Sequence, residues 1–270
     1  LSSGEVARFG PLTSQEVESR IRAGGLEGHI YQQVTGIVEG NAGEIERRYP
    51  RIMRRVSGYN LDELLKGPSL NLARLITGSE GTLATIVEAR LDLAPRPKAT
   101  ALMVAHFREL GEALEATVAI LEHGPAAVEL IGRLILERLR ASPGYARRGS
   151  FLEGDPEAVL LVEAAGESQA EVKAKLEVIE TSLKRQGRGY AFVKLMGREE
   201  QAHVWEVRRA GVNLMMGATG DAKPIPFIED CAVSPEKLPE FIRRVDELIR
   251  ANGTRAAYYG HASVGCIHVR

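Results

Sequence analysis

The sequence is poor in cysteine, aromatic residues and net charge, and each shortage removes a class of protein. Cys231 and Cys266 are its only two cysteines and form no CxxC pair, which fits a reducing compartment better than a disulfide framework. With 35 Lys+Arg against 36 Asp+Glu the formal charge is -1, so no global field draws the chain to nucleic acid or an anionic membrane. No apolar run approaches the ~20 residues of a membrane span, and the opening LSSGEVARFG lacks signal-peptide character. These shortages describe a cytoplasmic protein without a transmembrane segment. What is abundant is core material: 44% of the 270 residues are hydrophobic, enough for one large domain or two modest ones. The chain opens without an initiator Met and stops at Arg270 straight after a strand-like stretch, which reads as a piece of something longer.

Residues 1 to about 95 read as irregular, with short apolar runs, several glycines and the arginine-dense RRYPRIMRR. The alternation in TLATIVEARLDLAP predicts a pair of strands or one bent strand, and the Pro95/Pro97 cluster marks a domain boundary. Beyond it, ATALMVAHF reads as a strand, followed by a helix with Leu110, Leu114, Val118 and Leu121 at helical spacing. PAAVELIGRLILERLR predicts a second helix opened by proline. AVLLVEAAG reads as a strand, then a long helix opens at a serine and closes at Gly187. Strand YAFVKL, a helix from about 199 to 215, strand PIPFIEDCAV, helix SPEKLPEFIRRVDELIRANG and strand TRAAYYGHA complete the pattern. Short, partly alternating strands favour an antiparallel sheet with helices on one face over a parallel doubly wound sheet.

Two glycines flank Ser79 and Glu80 in LITGSEGTLATIV, and Thr82 follows. Gly78 and Gly81 allow a tight turn and close approach to a ligand, with hydroxyls and free N–H groups able to hold phosphate or ring oxygens; an ordinary turn into a strand explains the same residues. The GK[ST] of a P-loop is missing. TGSEGTLATIVEARLDLAP, preceded by RRVSGYNLDELL, resembles the end of the flavin-binding domain of FAD-linked oxidases of the vanillyl-alcohol-oxidase type, in the D-lactate, glycolate and D-2-hydroxyglutarate dehydrogenase branch. The resemblance implies that residues 1–97 are the last part of an α+β FAD-binding domain and that 98–270 belong to a ferredoxin-like cap domain for substrate. It implies that Gly78, Ser79, Glu80, Gly81 and Thr82 lie along FAD, with Ala84 where the family has a further glycine.

The stretch from 199 to 233 holds the only Trp, consecutive arginines and Lys223. A guanidinium with an ammonium suits a carboxylate, although unplaced arginines commonly decorate a solvated helix face. The resemblance implies that Arg208, in Trp205-Glu206-Val207-Arg208, and Lys223 orient a substrate carboxylate; Val212 stands where the family often has threonine.

His261 and His268 are seven residues apart in HASVGCIH, a poor helix sequence. In one uninterrupted strand an odd offset would put the rings on opposite faces, so convergence requires a bend near Gly265. Alone, the pair reads first as structural or surface histidines. The resemblance implies that both bind a divalent, zinc-like metal beside a 2-hydroxy acid, with the remaining ligand and the general base beyond Arg270. Two imidazoles fall short of the usual three protein ligands of catalytic zinc. The A-S-V-G-C variant also implies an iron–sulfur module elsewhere, or an electron-transfer partner, to take electrons from the flavin. The implied activity is oxidation of a 2-hydroxy acid to a 2-oxo acid with hydride transfer to FAD. The competing reading is a non-catalytic α+β module for small-molecule binding or assembly. A weaker one, nucleic-acid contact through RRYPRIMRR, meets the neutral total charge.

Overall fold

The computed structural model describes residues 1–55, 58–142, 144, 149–217, 223–226 and 228–270, with backbone alone at Val212 and Leu214. The chain forms two compact units, one of Leu1–Arg51 with Arg55–Leu93, the other of Ile52–Arg54 with Ala94–Arg270.

In the first unit, β1 (Pro11–Leu12) precedes helices α1 (Ser14–Ala23), α2 (Gly25–Gly40) and α3 (Ala42–Arg48). A 3-10 turn at Leu61–Leu65, β2 (Leu70–Asn71) and α4 (Leu72–Ile76) follow. Val17, Tyr31, Val38, Ile45, Leu64, Leu72 and Leu75 form its core. The expectation of irregular structure fails over the first half of this unit. The missed signal is the T-x-x-E capping box: Glu16 N–H donates to Thr13 Oγ1 at 3.4 Å and Thr13 N–H to Glu16 Oε2 at 2.8 Å.

The strands expected over residues 82–95 are absent too. That stretch has neither strand nor helix, with Ile86, Val87, Leu91 and Leu93 exposed. Alternation marks a strand only where a partner supplies the other half of the hydrogen bonds, and no described strand does so here.

The second unit begins with β3 (Ala99–Phe107), α5 (Leu110–Leu121), β4 (Ala127–Gly132) and α6 (Arg133–Ala141). It continues with β5 (Ala158–Gly166), α7 (Gln169–Arg185), β6 (Ala191–Leu195) and α8 (Arg198–Met216). It ends with β7 (Ile228–Ala232), α9 (Leu238–Ala251), β8 (Tyr258–His261) and β9 (Cys266–Val269). The sheet order is β6-β3-β5-β4-β8-β9-β7 and every described pairing is antiparallel. The first four strands with α5 and α7 make a βαββαβ unit of ferredoxin-like order, and β8, β9 and β7 extend it along β4.

The antiparallel α+β layer is as expected, but its helices cover both faces. Leu114 and Ile120 of α5, Val172 and Leu176 of α7, and Leu238 and Ile242 of α9 pack on one face. Ile135 and Leu139 of α6 with Val204 and Val207 of α8 pack on the other. β3 records this: Ala101, Met103 and Ala105 enter the first core, Leu102 and Val104 the second, hence its near-continuous apolar run.

The single helix expected over residues 125–140 is instead a strand and a helix. Val128 and Leu130 face one core and Ile131 the other, a period of two that the helix-spaced set Leu130, Leu134 and Ile131, Ile135 conceals. The two-fold pattern wins because β4 completes the ladder between β5 and β8, and it fixes where Glu129 points.

Candidate functional site: two histidine–carboxylate–arginine clusters on one sheet face

The β8–β9 hairpin supplies both histidines. A 3-10 turn, Ala262–Val264, and a left-handed Gly265 (φ 69°) join the strands, so the bend expected near Gly265 is present. A Cβ on Gly265 would stand 1.8 Å from the Val233 carbonyl oxygen, so only glycine fits. The register pairs Tyr259 with His268 and His261 with Cys266. Tyr259 enters the core beneath α6 and α8, and residues two apart or directly paired share its face. The rings of His261 and His268 therefore meet, with centroids 5.5 Å apart and planes at 81°.

Each imidazole is held by a carboxylate, and each carboxylate also holds an arginine. Glu129 projects from β4, whose pairing of Leu130 with Gly260 and Ile131 with Tyr259 puts it opposite His261. His261 Nδ1 donates to Glu129 Oε1 at 2.7 Å. Arg208, from α8, donates Nε to Glu129 Oε2 at 2.9 Å and brings Nη2 within 2.7 Å of the same oxygen. Across the hairpin, His268 Nδ1 lies 2.6 Å from Glu229 Oε2, and Arg270 contacts Glu229 Oε1. Tyr259 stands between the clusters: the guanidinium carbons of Arg208 and Arg270 lie 5.2 and 5.9 Å from its ring centre, and its hydroxyl accepts from Arg270 Nε at 2.6 Å. A carboxylate accepting from Nδ1 places the proton of His261 on that nitrogen and leaves its Nε2 lone pair as the coordinating position, whereas His268 Nδ1 is in ion-pair range of Glu229 without a hydrogen bond.

Burial sets the protonation of this face. It pushes the His268 pKa below the ordinary histidine value, overriding Glu229 and Asp230, which favour the cation. Burial raises the Tyr259 phenol. Asp230 sits in the β7 irregularity with φ 53°; burial works to raise its carboxyl, but Arg54 at 3.2 Å holds it low. Burial takes the Cys266 thiol up to about 11, whereas Cys231 on β7 is exposed. Deeper under α8, burial raises Glu163 against a hydrogen bond from Trp205.

Arg208, His261 and His268 are thus brought together. Lys223 lies in an exposed irregular stretch, 223–226, between residues outside the description, and the side chain of Val212 is outside it as well. Sequence reasoning missed Glu129, Glu229, Tyr259 and Arg270. The available signal for Glu129 was a lone charge at an inward position of an apolar strand.

Two imidazoles that meet on one face, one with its Nδ1 hydrogen-bonded to Glu129, suit a divalent metal of the zinc kind as two of its ligands. Among the described residues no set of three or more His, Cys, Asp or Glu gathers as a complete metal site.

The glycine segment belongs to the first unit. Thr82 N–H donates to Ser79 O at 2.9 Å, closing a turn whose central residues, Glu80 (φ 51°) and Gly81 (φ 78°), are both left-handed, a type I′ geometry. Thr82 Oγ1 contacts the Tyr59 hydroxyl at 2.9 Å, and Asn60 Nδ2 donates to Thr77 O at 3.0 Å. Tyr59 and Asn60 thereby brace this segment within its own unit. The arginines of RRYPRIMRR lie largely in ion pairs, Arg47 and Arg48 with Glu44, Arg54 with Asp230, and Arg55 with Asp62 and Glu63, which does not favour the nucleic-acid reading.

The chain is 30% identical over 281 residues to D-2-hydroxyglutarate dehydrogenase of Pseudomonas putida, covering 100% of this chain and 28% of that protein. It is 28% identical to the enzyme of the same name from Escherichia coli K12, again covering 28% of it. It is 26% identical to the glycolate oxidase subunit GlcD of Bacillus subtilis, over 91% of this chain and 49% of that one. The chain therefore spans little more than a quarter of the first two relatives. Among solved structures, p-cresol methylhydroxylase with substrate bound aligns with a TM-score of 0.46 at 12% identity, covering 65% of this chain and 39% of that one. Residues 96–270, which contain the whole sheet face described above, match the family of FAD linked oxidases, C-terminal domain, and the chain belongs to that family.

Proposed function

We propose that residues 1–97 are the last part of an FAD-binding domain and 98–270 part of a substrate domain, in a flavoenzyme that oxidises a 2-hydroxy acid to a 2-oxo acid. The observation that carries the reading is the meeting of Arg208, His261 and His268 on one sheet face, inside the region that matches the family. The similar proteins named for D-2-hydroxyglutarate, glycolate and D-lactate support the substrate class.

Arg208 turns Nε and Nη2 to Glu129, and its Nη1 carries the remaining donors, with which Lys223 grips the substrate carboxylate. Burial keeps His268 neutral, as a metal ligand must be. Nε2 of His261 and His268 would hold two positions of a divalent metal, with a further ligand from outside these residues, and that metal would supply a Lewis acid for the 2-hydroxyl; FAD would supply the hydride acceptor. The base that removes the hydroxyl proton lies elsewhere in the protein. Cluster ligation takes about four cysteines, so an iron–sulfur relay also lies outside a chain with two. The unpaired Cys231 and Cys266 fit a cytoplasmic setting.

The test is anaerobic flavin reduction in the full-length protein by D-2-hydroxyglutarate, D-lactate and glycolate. Bleaching of the flavin by one of them is expected; none, with FAD stoichiometrically bound, overturns the substrate class. Arg208→Ala should raise KM for the acid by more than tenfold, and an unchanged KM would remove Arg208 from the clamp.

A further inference from the structure

Glu129 carries two duties with two oxygens. It is 9% exposed, Oε1 accepts from His261, and Oε2 takes both Nε and Nη2 of Arg208. Both oxygens of this buried carboxylate are thus paired, and its position opposite His261 is fixed by the ladder. Glu229 likewise lies between His268 and Arg270, in ion-pair contact with both. We propose that Glu129 is a positioning residue: it locks His261 as the Nδ1–H tautomer with one oxygen and aims Arg208 with the other, so that metal site and carboxylate clamp are set as one unit. The proposal rests on the function proposed above.

Glutamine separates this from a purely structural ion pair, because its single acceptor oxygen cannot serve both partners. In the full-length flavoprotein, Glu129→Gln should raise KM for the hydroxy acid at least tenfold, through Arg208. It should also weaken Zn²⁺ binding about 10- to 100-fold by calorimetric titration, through His261. Glu229→Gln should weaken Zn²⁺ through His268, whose Nδ1 lies 2.6 Å from Glu229. If Glu129→Gln does not fold, Glu129→Asp, which keeps the charge on a shorter arm, is measured in its place with the same expectations.

A folded, FAD-loaded Glu129 variant with wild-type KM and Zn²⁺ affinity overturns the positioning role while wild-type turnover keeps the functional reading. Wild-type protein that no hydroxy acid reduces overturns the functional reading instead. The Zn²⁺ affinities then decide the role of Glu129 alone, and equal or undetectable affinities overturn it.

Discussion

Arg208 stands over the ring of Tyr259, 5.2 Å from its centre, and Arg270 lies 5.9 Å from the same centre while donating to the Tyr259 hydroxyl. One aromatic side chain thus fixes two guanidinium groups that belong to different carboxylates. Tyr259→Phe removes only the acceptor and should cost about 1 to 2 kcal/mol. Tyr259→Ala also removes the buried ring, for about 3 to 5 kcal/mol. Equal denaturation midpoints for the two variants would mean that the ring supports neither arginine.

Gly265→Ala should be among the most damaging single-methyl changes. The added Cβ meets the Val233 carbonyl oxygen at 1.8 Å, at a φ of 69°. Relief requires the hairpin to move away from β7, separating His268 from Glu229. A loss above about 3 kcal/mol is expected in urea unfolding, and near-wild-type stability would contradict this hairpin geometry.

His106 makes the fold acid-sensitive. It is fully buried on β3, accepts from Glu153 N–H through Nε2 at 3.1 Å, and its Nδ1 faces Ala191 O at 3.2 Å. Burial lowers its folded pKa below the ordinary 6.5. The unfolded chain therefore binds the proton first as pH falls. Stability is complete above about pH 6.5 and declines as pH drops through that value toward the folded pKa. Thermal melts between pH 7.5 and 5.5 should show this decline, and His106→Asn should flatten it. A slope that persists undiminished in the variant would assign the effect to another group.

How much of this was legible follows from range. β5 and α7 were readable because the information is local: an unbroken apolar run, and Ser168, whose hydroxyl accepts from Glu171 N–H. The convergence of His261 and His268 was readable because one glycine bend decides it. Glu129 was hidden, since its partners lie 79 and 132 positions away and helix-spaced leucines mask the strand that aims it. Residues 82–95 misled in the opposite sense: their alternation is genuine, but alternation specifies a face and not the neighbour that must cover it.

The contrast between the two cysteines has a practical consequence. Cys266 is buried with its thiol up to about 11, whereas Cys231 is exposed one residue from Asp230 on β7. Thiolate, not thiol, reacts with alkylating dyes, so in this chain a maleimide fluorophore would label Cys231 alone. Cys231 pairs with Ile267, whose side chain enters the core on the face away from His268, so that dye would report on β7 without covering the Glu229–His268 cluster and without any engineered substitution.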